Sequence, residues 1–263
     1  MGFVDNFVAD VWAQRKMVAQ YPPAGSVRVG DVLEKRDGIW QLHSRLPSAG
    51  FKPRLARGPV GPVVLQSKGN KTLRVKAKGK SPAGAFTNVL GKAEAGVSIE
   101  FTGKFGYLMS LADVSETEMT NVDELLSFIR AKKRWVWDLE WVFVTSVYDA
   151  KSATILTTGT SGATAVLKAA AELKPGGVKV ADLSAGFTFA GGSSIEDKYV
   201  CESKFTPLYR GRRVKLRELV FGSTDENRKV LRDTSLEVFL LKTNGVKDAT
   251  GMELTIEDFD PTQ

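Results

Sequence analysis

The chain has 263 residues and a net charge of +7, from 37 Lys and Arg against 30 Asp and Glu. One cysteine and one histidine exclude an internal disulfide and a His/Cys zinc site, and no run of about 18 apolar residues exists to form a membrane-spanning helix. The positive surplus favours an anionic partner, either phospholipid or nucleic acid.

Phe3 to Gln20 predicts an amphipathic helix. Phe3, Phe7, Val11 and Val18 share one side, Val4, Val8 and Trp12 widen the stripe, and Arg15 and Lys16 suit the C-terminal end of the helix dipole. Pro22 and Pro23 stop it. Such a helix either packs on its own domain or lies in a membrane surface, where aromatic residues and late bases serve as anchors. Val27–Leu33 and Gly38–Leu42 predict two strands around a charged turn, Glu34-Lys35-Arg36-Asp37. Pro47 to Pro62, rich in Pro, Gly and bases (Lys52, Arg54, Arg57), predicts a loop.

Four stretches then alternate apolar and polar residues with a period of two: Lys71–Lys78, Val97–Gly106, Ser152–Lys168 and Lys179–Phe189. Their apolar faces carry Leu73 and Val75, then Val97, Ile99, Phe101 and Phe105, and later Ala181, Leu183, Ala185, Phe187 and Phe189. Arg74, Lys76, Lys78, Glu100, Lys104 and Asp182 fall on the opposite faces. The pattern fits either a half-buried sheet or the wall of a membrane barrel with a wet lumen. Val97–Phe105 and Lys179–Phe189 have the roughly 9–11 residues that a tilted strand needs to cross the hydrocarbon layer. Gly79–Gly96 and Ala169–Gly177 separate the members of each pair, giving two hairpins.

Thr120–Ala131 predicts a second helix, capped by Thr120 or Asn121, with Leu125, Leu126, Phe128 and Ile129 as its buried face. It ends in Arg130, Lys132, Lys133 and Arg134, which is either a solvated helix end or an anion-binding patch. Trp135–Trp137 and Trp141–Val144 read as a β run, Arg210–Arg217 is basic, and Leu236–Leu241 predicts a last strand. From Asp248 the chain is an acidic tail. The expected class is α+β: a twisted antiparallel β-sheet with surrounding helices, and two hairpins able to extend into a membrane β-barrel.

Little points to catalysis. There is no phosphate-binding loop, dinucleotide fingerprint or zinc-protease motif. His43 sits in an alternating stretch and reads as a strand or loop histidine. The expectation is a non-enzyme with no cofactor and no metal.

The run Trp141-Val142-Phe143-Val144-Thr145-Ser146-Val147-Tyr148 through Leu156 resembles a strand region of microbial gasdermin homologues. Gly30-Asp31-Val32, Ala181-Asp182-Leu183-Ser184-Ala185-Gly186 and Thr206-Pro207-Leu208-Tyr209 follow the order of that family. The resemblance is diffuse and covers most of the chain. It is closest to the repressor-free fungal regulator-of-cell-death members. It implies a pore-forming domain over residues 1–247, an acidic tail over 248–263 and no large repressor domain. It further implies binding to acidic phospholipids, self-association into a large ring, and triggering by a second allelic gasdermin-like protein (allorecognition), with the tail as an alternative inhibitory segment. The soluble form is then cytoplasmic and the assembled form lies in the plasma membrane, causing lytic cell death. The candidate lipid-binding residues are Phe3, Phe7, Trp12, Arg15, Lys16, Lys35, Arg36, Trp40, Lys52, Arg54, Arg130, Lys132, Lys133 and Arg134. The apolar strand faces named above become the lipid-facing surface, where a polar substitution is expected to spare solubility and abolish leakage.

Two alternatives remain. One is a basic nucleic-acid-binding protein using Trp135, Trp137 and Trp141 beside Lys132–Arg134. The other is a peripheral lipid-binding module that never inserts.

Overall fold

The computed structural model describes residues 3–22, 26–36, 39–67, 76–77, 96–131, 137–169, 187–201, 205–218 and 252–262. In chain order the elements are α1 (Phe3–Arg15), β1 (Val18–Ala19), β2 (Asp31–Arg36), β3 (Ile39–Arg45), α2 (Leu46–Ala49), β4 (Leu55–Pro59) and β5 (Val63–Gln66). They continue as β6 (Lys76–Ala77), β7 (Gly96–Phe101), β8 (Gly106–Ala112), β9 (Ser115–Met119), α3 (Val122–Ala131) and β10 (Val142–Ala150). The last are β11 (Ser152–Thr158), β12 (Ala163–Ala169), β13 (Phe187–Ser193), β14 (Asp197–Cys201), β15 (Phe205–Glu218) and β16 (Met252–Asp258).

Among the described residues the strands form three sheets rather than one, and all described pairings are antiparallel. The large sheet runs β1-β15-β10-β2-β3, with β16 on β15, and β9 and β4 continuing from β10. The middle sheet runs β14-β11-β8-β5 and the outer sheet β13-β12-β7-β6.

The alternation in β8 and β11 explains how the layers stack. Tyr107, Met109, Leu111, Ala153 and Ile155 point to one side, where they bury Phe7 and Val11 of α1. Leu108 and Leu156 point to the other, against Val97, Ile99, Phe101, Ala163, Ala165 and Leu167 of the outer sheet. The middle sheet is thus covered on both faces. A separate cluster packs α3, through Leu125 and Ile129, against Val32, Trp137 and Phe143 of the large sheet region.

Several boundaries differ from expectation. α1 ends at Arg15 rather than Gln20, because Lys16 takes φ 55 and Met17, Val18 and Ala19 are buried, the last two as a strand on β15. Packing of those three residues overrides the helical period. The stretch Ser152–Lys168 is not one strand: Gly159–Gly162 turns the chain from β11 in the middle sheet to β12 in the outer one. The expected loop Pro47–Pro62 contains most of α2 and all of β4. The strand expected over Val97–Gly106 ends at Phe101. Phe105 lies in the turn before β8 with φ 58, is 40% exposed, and so is corrected from a strand-face position to a turn tip. The strand expected at Leu236–Leu241 lies outside the described residues.

Gly30, within the Gly30-Asp31-Val32 motif, has φ +88, and a Cβ there would come 3.1 Å from Pro53 Cγ. Its amide donates to Val144 O and its carbonyl accepts from Leu46 N. Beside it the Asp31 carboxylate, 3% exposed, accepts from the Arg28 amide at 2.9 Å and from Arg45 Nε at 3.1 Å. Burial raises the Asp31 carboxyl above its ordinary value, against the lowering effect of those partners.

Candidate membrane-insertion site

The outer sheet consists of two hairpins laid side by side. β7 pairs with β6 and with β12, and β12 pairs with β13. Register sets the faces: Ile99 opposes Ala165 and Val97 opposes Leu167, all four fully buried. Glu100 opposes Thr164 and Ser98 opposes Val166 on the other face. Phe187 and Phe189 pack against the same cluster as Val97 and Ile99, so the alternation places these residues on one surface. Leu73, Val75, Ala181, Leu183 and Ala185 lie outside the described residues. No described strand pairs the outer sheet to the middle one. Hydrocarbon contact joins them, with Lys198 Nζ set 4.6 Å from the Phe189 ring centre at the margin.

The candidate lipid-binding residues separate into groups. Phe7, 1% exposed, is a core residue, T-stacked on Tyr107 at 4.9 Å, so in this conformation it is not a surface anchor. Phe3 stacks on Phe7 at 6.0 Å and is half-buried. Arg15 is exposed at the end of α1. Arg36 is ion-paired with Glu34, and Arg54 with Glu124. The Arg54 amide also donates to Asn121 Oδ1 at 2.8 Å, so Asn121 ties the preceding loop to the start of α3. Lys52 is exposed. The Arg130 side chain and Lys132–Arg134 lie outside the described residues.

Trp12, Lys16, Lys35 and Trp40 come together around the C-terminal segment. Lys16 Nζ lies 5.4 Å from the Trp12 ring centre and Lys35 Nζ 6.0 Å from that of Trp40, in cation–π range. Trp40 meets Phe259 edge-on, and Phe259 is 4% exposed beneath it. The expected acidic tail thus contributes a strand: β16 pairs along β15, with Arg212 Nε 2.9 Å from Asp258 Oδ1 and Lys215 paired to Glu257. At Asp260, burial raises the carboxyl. Hydrogen bonds from the Thr262 hydroxyl and amide and from Trp12, then the nearby Lys16 charge, outweigh this and leave it below the ordinary carboxylate value. A cavity of about 310 Å³ beside this cluster is lined by Val4, Val8, Lys35, Trp40, Tyr209 and Thr262.

Polar contacts that sequence reading missed fix α1. Tyr107 Oη donates to Asp10 Oδ2 at 3.1 Å and accepts from Gln14 Nε2 at 2.8 Å. The Asp10/Gln14 spacing of four on one helix face was the available signal. The next segment is held by Tyr21 Oη on Asp197 Oδ2 at 3.0 Å, and Thr157 Oγ1 donates to the same oxygen at 2.9 Å.

The alternative uses of aromatic and histidine residues meet definite packing. Trp137 is wholly buried, with its ring against Trp141 and Phe143, and is not a platform for a nucleobase. His43, on β3, lies 4.1 Å ring to ring from Trp141 and 3.3 Å from Glu34 Oε1. No described helix is long and apolar enough to cross a membrane.

No family model and no curated protein matches this chain. Among solved structures, a bacterial gasdermin from Bradyrhizobium tropiciagri is similar at a TM-score of 0.35 and 14% identity, over 80% of this chain and 86% of that one.

Proposed function

We propose that this chain is a pore-forming protein of the gasdermin type, which binds acidic phospholipid, assembles with copies of itself and extends two hairpins per subunit through a bilayer. One observation carries the reading: β6–β7 and β12–β13 form a separate antiparallel sheet, apolar on one face and largely polar on the other, held to the body by side-chain packing. In a bilayer every backbone group must be paired, so such hairpins are stable only in a closed barrel. Two hairpins per chain therefore require many copies in a ring. Val97, Ile99, Leu167, Phe187 and Phe189 would exchange the middle sheet for acyl chains, which costs little because both surroundings are hydrocarbon. Glu100 and Lys168 would face the lumen, where charge is tolerated.

The Trp12–Lys16–Lys35–Trp40 cluster is the proposed membrane-docking surface, since aromatic rings and bases together suit an anionic headgroup layer. The C-terminal segment Phe259–Thr262 occupies it in this conformation. Activation then consists of removing that segment, by proteolysis or by displacement by a second allelic chain. The soluble form is assigned to the cytoplasm and the assembled ring to the plasma membrane, where leakage would be lytic.

Dye release from vesicles rich in phosphatidylserine or cardiolipin tests the reading. The full chain, a chain ending at Gly245, and the full chain with an allelic partner are compared with phosphatidylcholine vesicles as control. Release in at least one condition, restricted to acidic vesicles, is expected. Reversing Arg15 and Lys16 to Glu should weaken vesicle binding. Absence of release in all three conditions overturns the pore.

A further inference from the structure

The basic run Arg210–Arg217 and the acidic C-terminal stretch are remote in sequence, and strand register brings them together. β16 lies along β15 from Arg212↔Asp258 to Glu218↔Met252. Arg212 Nε stands 2.9 Å from Asp258 Oδ1 and Arg213 Nε 3.5 Å from Glu257 Oε1, and Lys215 pairs with the same Glu257 carboxylate. Val214, fully buried, lies opposite Ile256 at the margin of the α3 cluster. Just past the ladder the Phe259 amide donates to Gly211 O at 2.9 Å. The Phe259 ring packs beside Gly211, where a Cβ would come 3.5 Å from Phe259 Cδ1.

Two features make this joint exchangeable between chains. The pairing of β10 with β15 ends at Arg213, so from Val214 to Glu218 the one described strand beside β15 is β16. Without β16 that length of backbone is an open edge, a template for any strand that fits it. The covalent link between the two strands is residues 219–251, with an extended reach of about 110 Å, whereas about two to five residues suffice for a hairpin. The pairing therefore places no demand that both strands belong to one chain.

We infer that the β15 edge is a docking site for β16 of a second copy, and that two chains exchange these strands reciprocally. The partner that fits this edge is an acidic strand with an apolar residue opposite Val214, acids facing Arg212 and Lys215, and an aromatic ring beside Gly211. The chain's own C-terminal strand has that pattern. Reciprocal exchange keeps the ladder and its ion pairs and gives a closed two-fold dimer. In dilute solution the strand of the same chain prevails, since the link holds it at an effective concentration of about a millimolar. Concentrating the copies shifts occupancy towards the neighbour's strand. The inference concerns the soluble chain and does not rest on the pore reading.

Charge reversal in two full-length chains tests it. One carries Glu257→Lys and Asp258→Arg, the other Arg212→Asp and Lys215→Glu. Alone, each sets like charges opposite one another in its own ladder; mixed, each strand matches the edge of the other chain. Sedimentation velocity should show monomers for each variant alone and a heterodimer in the equimolar mixture, with a dimer fraction about tenfold larger. A single chain with all four changes restores the match within itself, so it should be monomeric and melt like the wild type. A labelled peptide spanning Met252–Thr262 should bind the Glu257→Lys/Asp258→Arg chain saturably, and about tenfold more tightly than it binds the wild type, whose own strand competes. A mixture that stays monomeric while the four-change chain melts like the wild type overturns the proposal. So does equal dimerisation of either variant alone, or absence of peptide binding to both full-length chains.

Discussion

The Trp40 indole meets the Phe259 ring edge-on, with ring centres 4.8 Å apart and planes at 74°. The contact joins β3 to the end of the chain across more than two hundred residues of sequence. It makes the C-terminal segment part of the packed body, since Val18, Val27, Val142 and Tyr209 surround the same ring. Phe259→Ala is expected to destabilise the chain by about 3 kcal/mol, from lost burial and the cavity left behind. That corresponds to a fall of about 6–12 °C in melting midpoint. Trp40 emission should shift to the red; an unchanged spectrum and midpoint would show that the ring bears no load.

The inner face of the outer sheet gives a second prediction. Leu167 is 0% exposed beneath Leu108 and Leu156, so Leu167→Ala should cost about 2–5 kcal/mol and Ile99→Val about 1 kcal/mol. A polar residue at Ile99 would place unpaired polar atoms in this cluster and should lower the stability of the folded chain as well. Urea midpoints of the soluble chain check both.

Alkaline pH should destabilise the fold. Burial, then the hydrogen bond to Asp197, pushes the Tyr21 phenol up to about 12, and burial also raises Tyr107 and Tyr209. A phenol raised in the folded state keeps its proton after the unfolded chain has released its own. Stability is therefore full below about pH 10 and falls from there towards about pH 12 for Tyr21. Tyr21→Phe should flatten part of that loss in urea midpoints taken at pH 8, 10 and 11. An equal slope in wild type and variant would remove Tyr21 from the account.

Gly30→Ala should cost at least 1 kcal/mol, since a Cβ is disfavoured at φ +88 by about 1–2 kcal/mol and would also press on Pro53. The melting midpoint reads it, with Gly58→Ala as control, because a Cβ there meets nothing within 4 Å.

Period-two patterning made the strand character of β7 legible, because a strand with one buried face must alternate; of the strand expected over Lys179–Phe189 only Phe187–Phe189 lie among the described residues, at the start of β13. The β2–β3 pair was expected too, but with a turn over Glu34–Asp37; Glu34, Lys35 and Arg36 are instead strand residues paired to Gln41, Trp40 and Ile39. The end of α1 was not legible, since it is set by Val18 and Ala19 finding Tyr209 and Leu208 on β15, almost two hundred residues away. Gly159 and Gly162 did carry a turn signal, masked by the small residues around them; Gly162 at φ +76 closes the turn. Of the candidate site, the aromatic and basic members were legible singly. Their assembly around Phe259 was not, because β16 reaches them only through its pairing with β15.

The middle sheet is gripped differently on its two faces: hydroxyl and carboxylate contacts reinforce the α1 side, while the outer sheet adheres through Leu108, Leu156 and their hydrocarbon neighbours. Apolar adhesion weakens on cooling, whereas the grip on α1 has polar contacts as well. Near freezing, amide exchange should quicken in β7 and β12 before it does in α1, so the two sides of one sheet would differ in their sensitivity to cold.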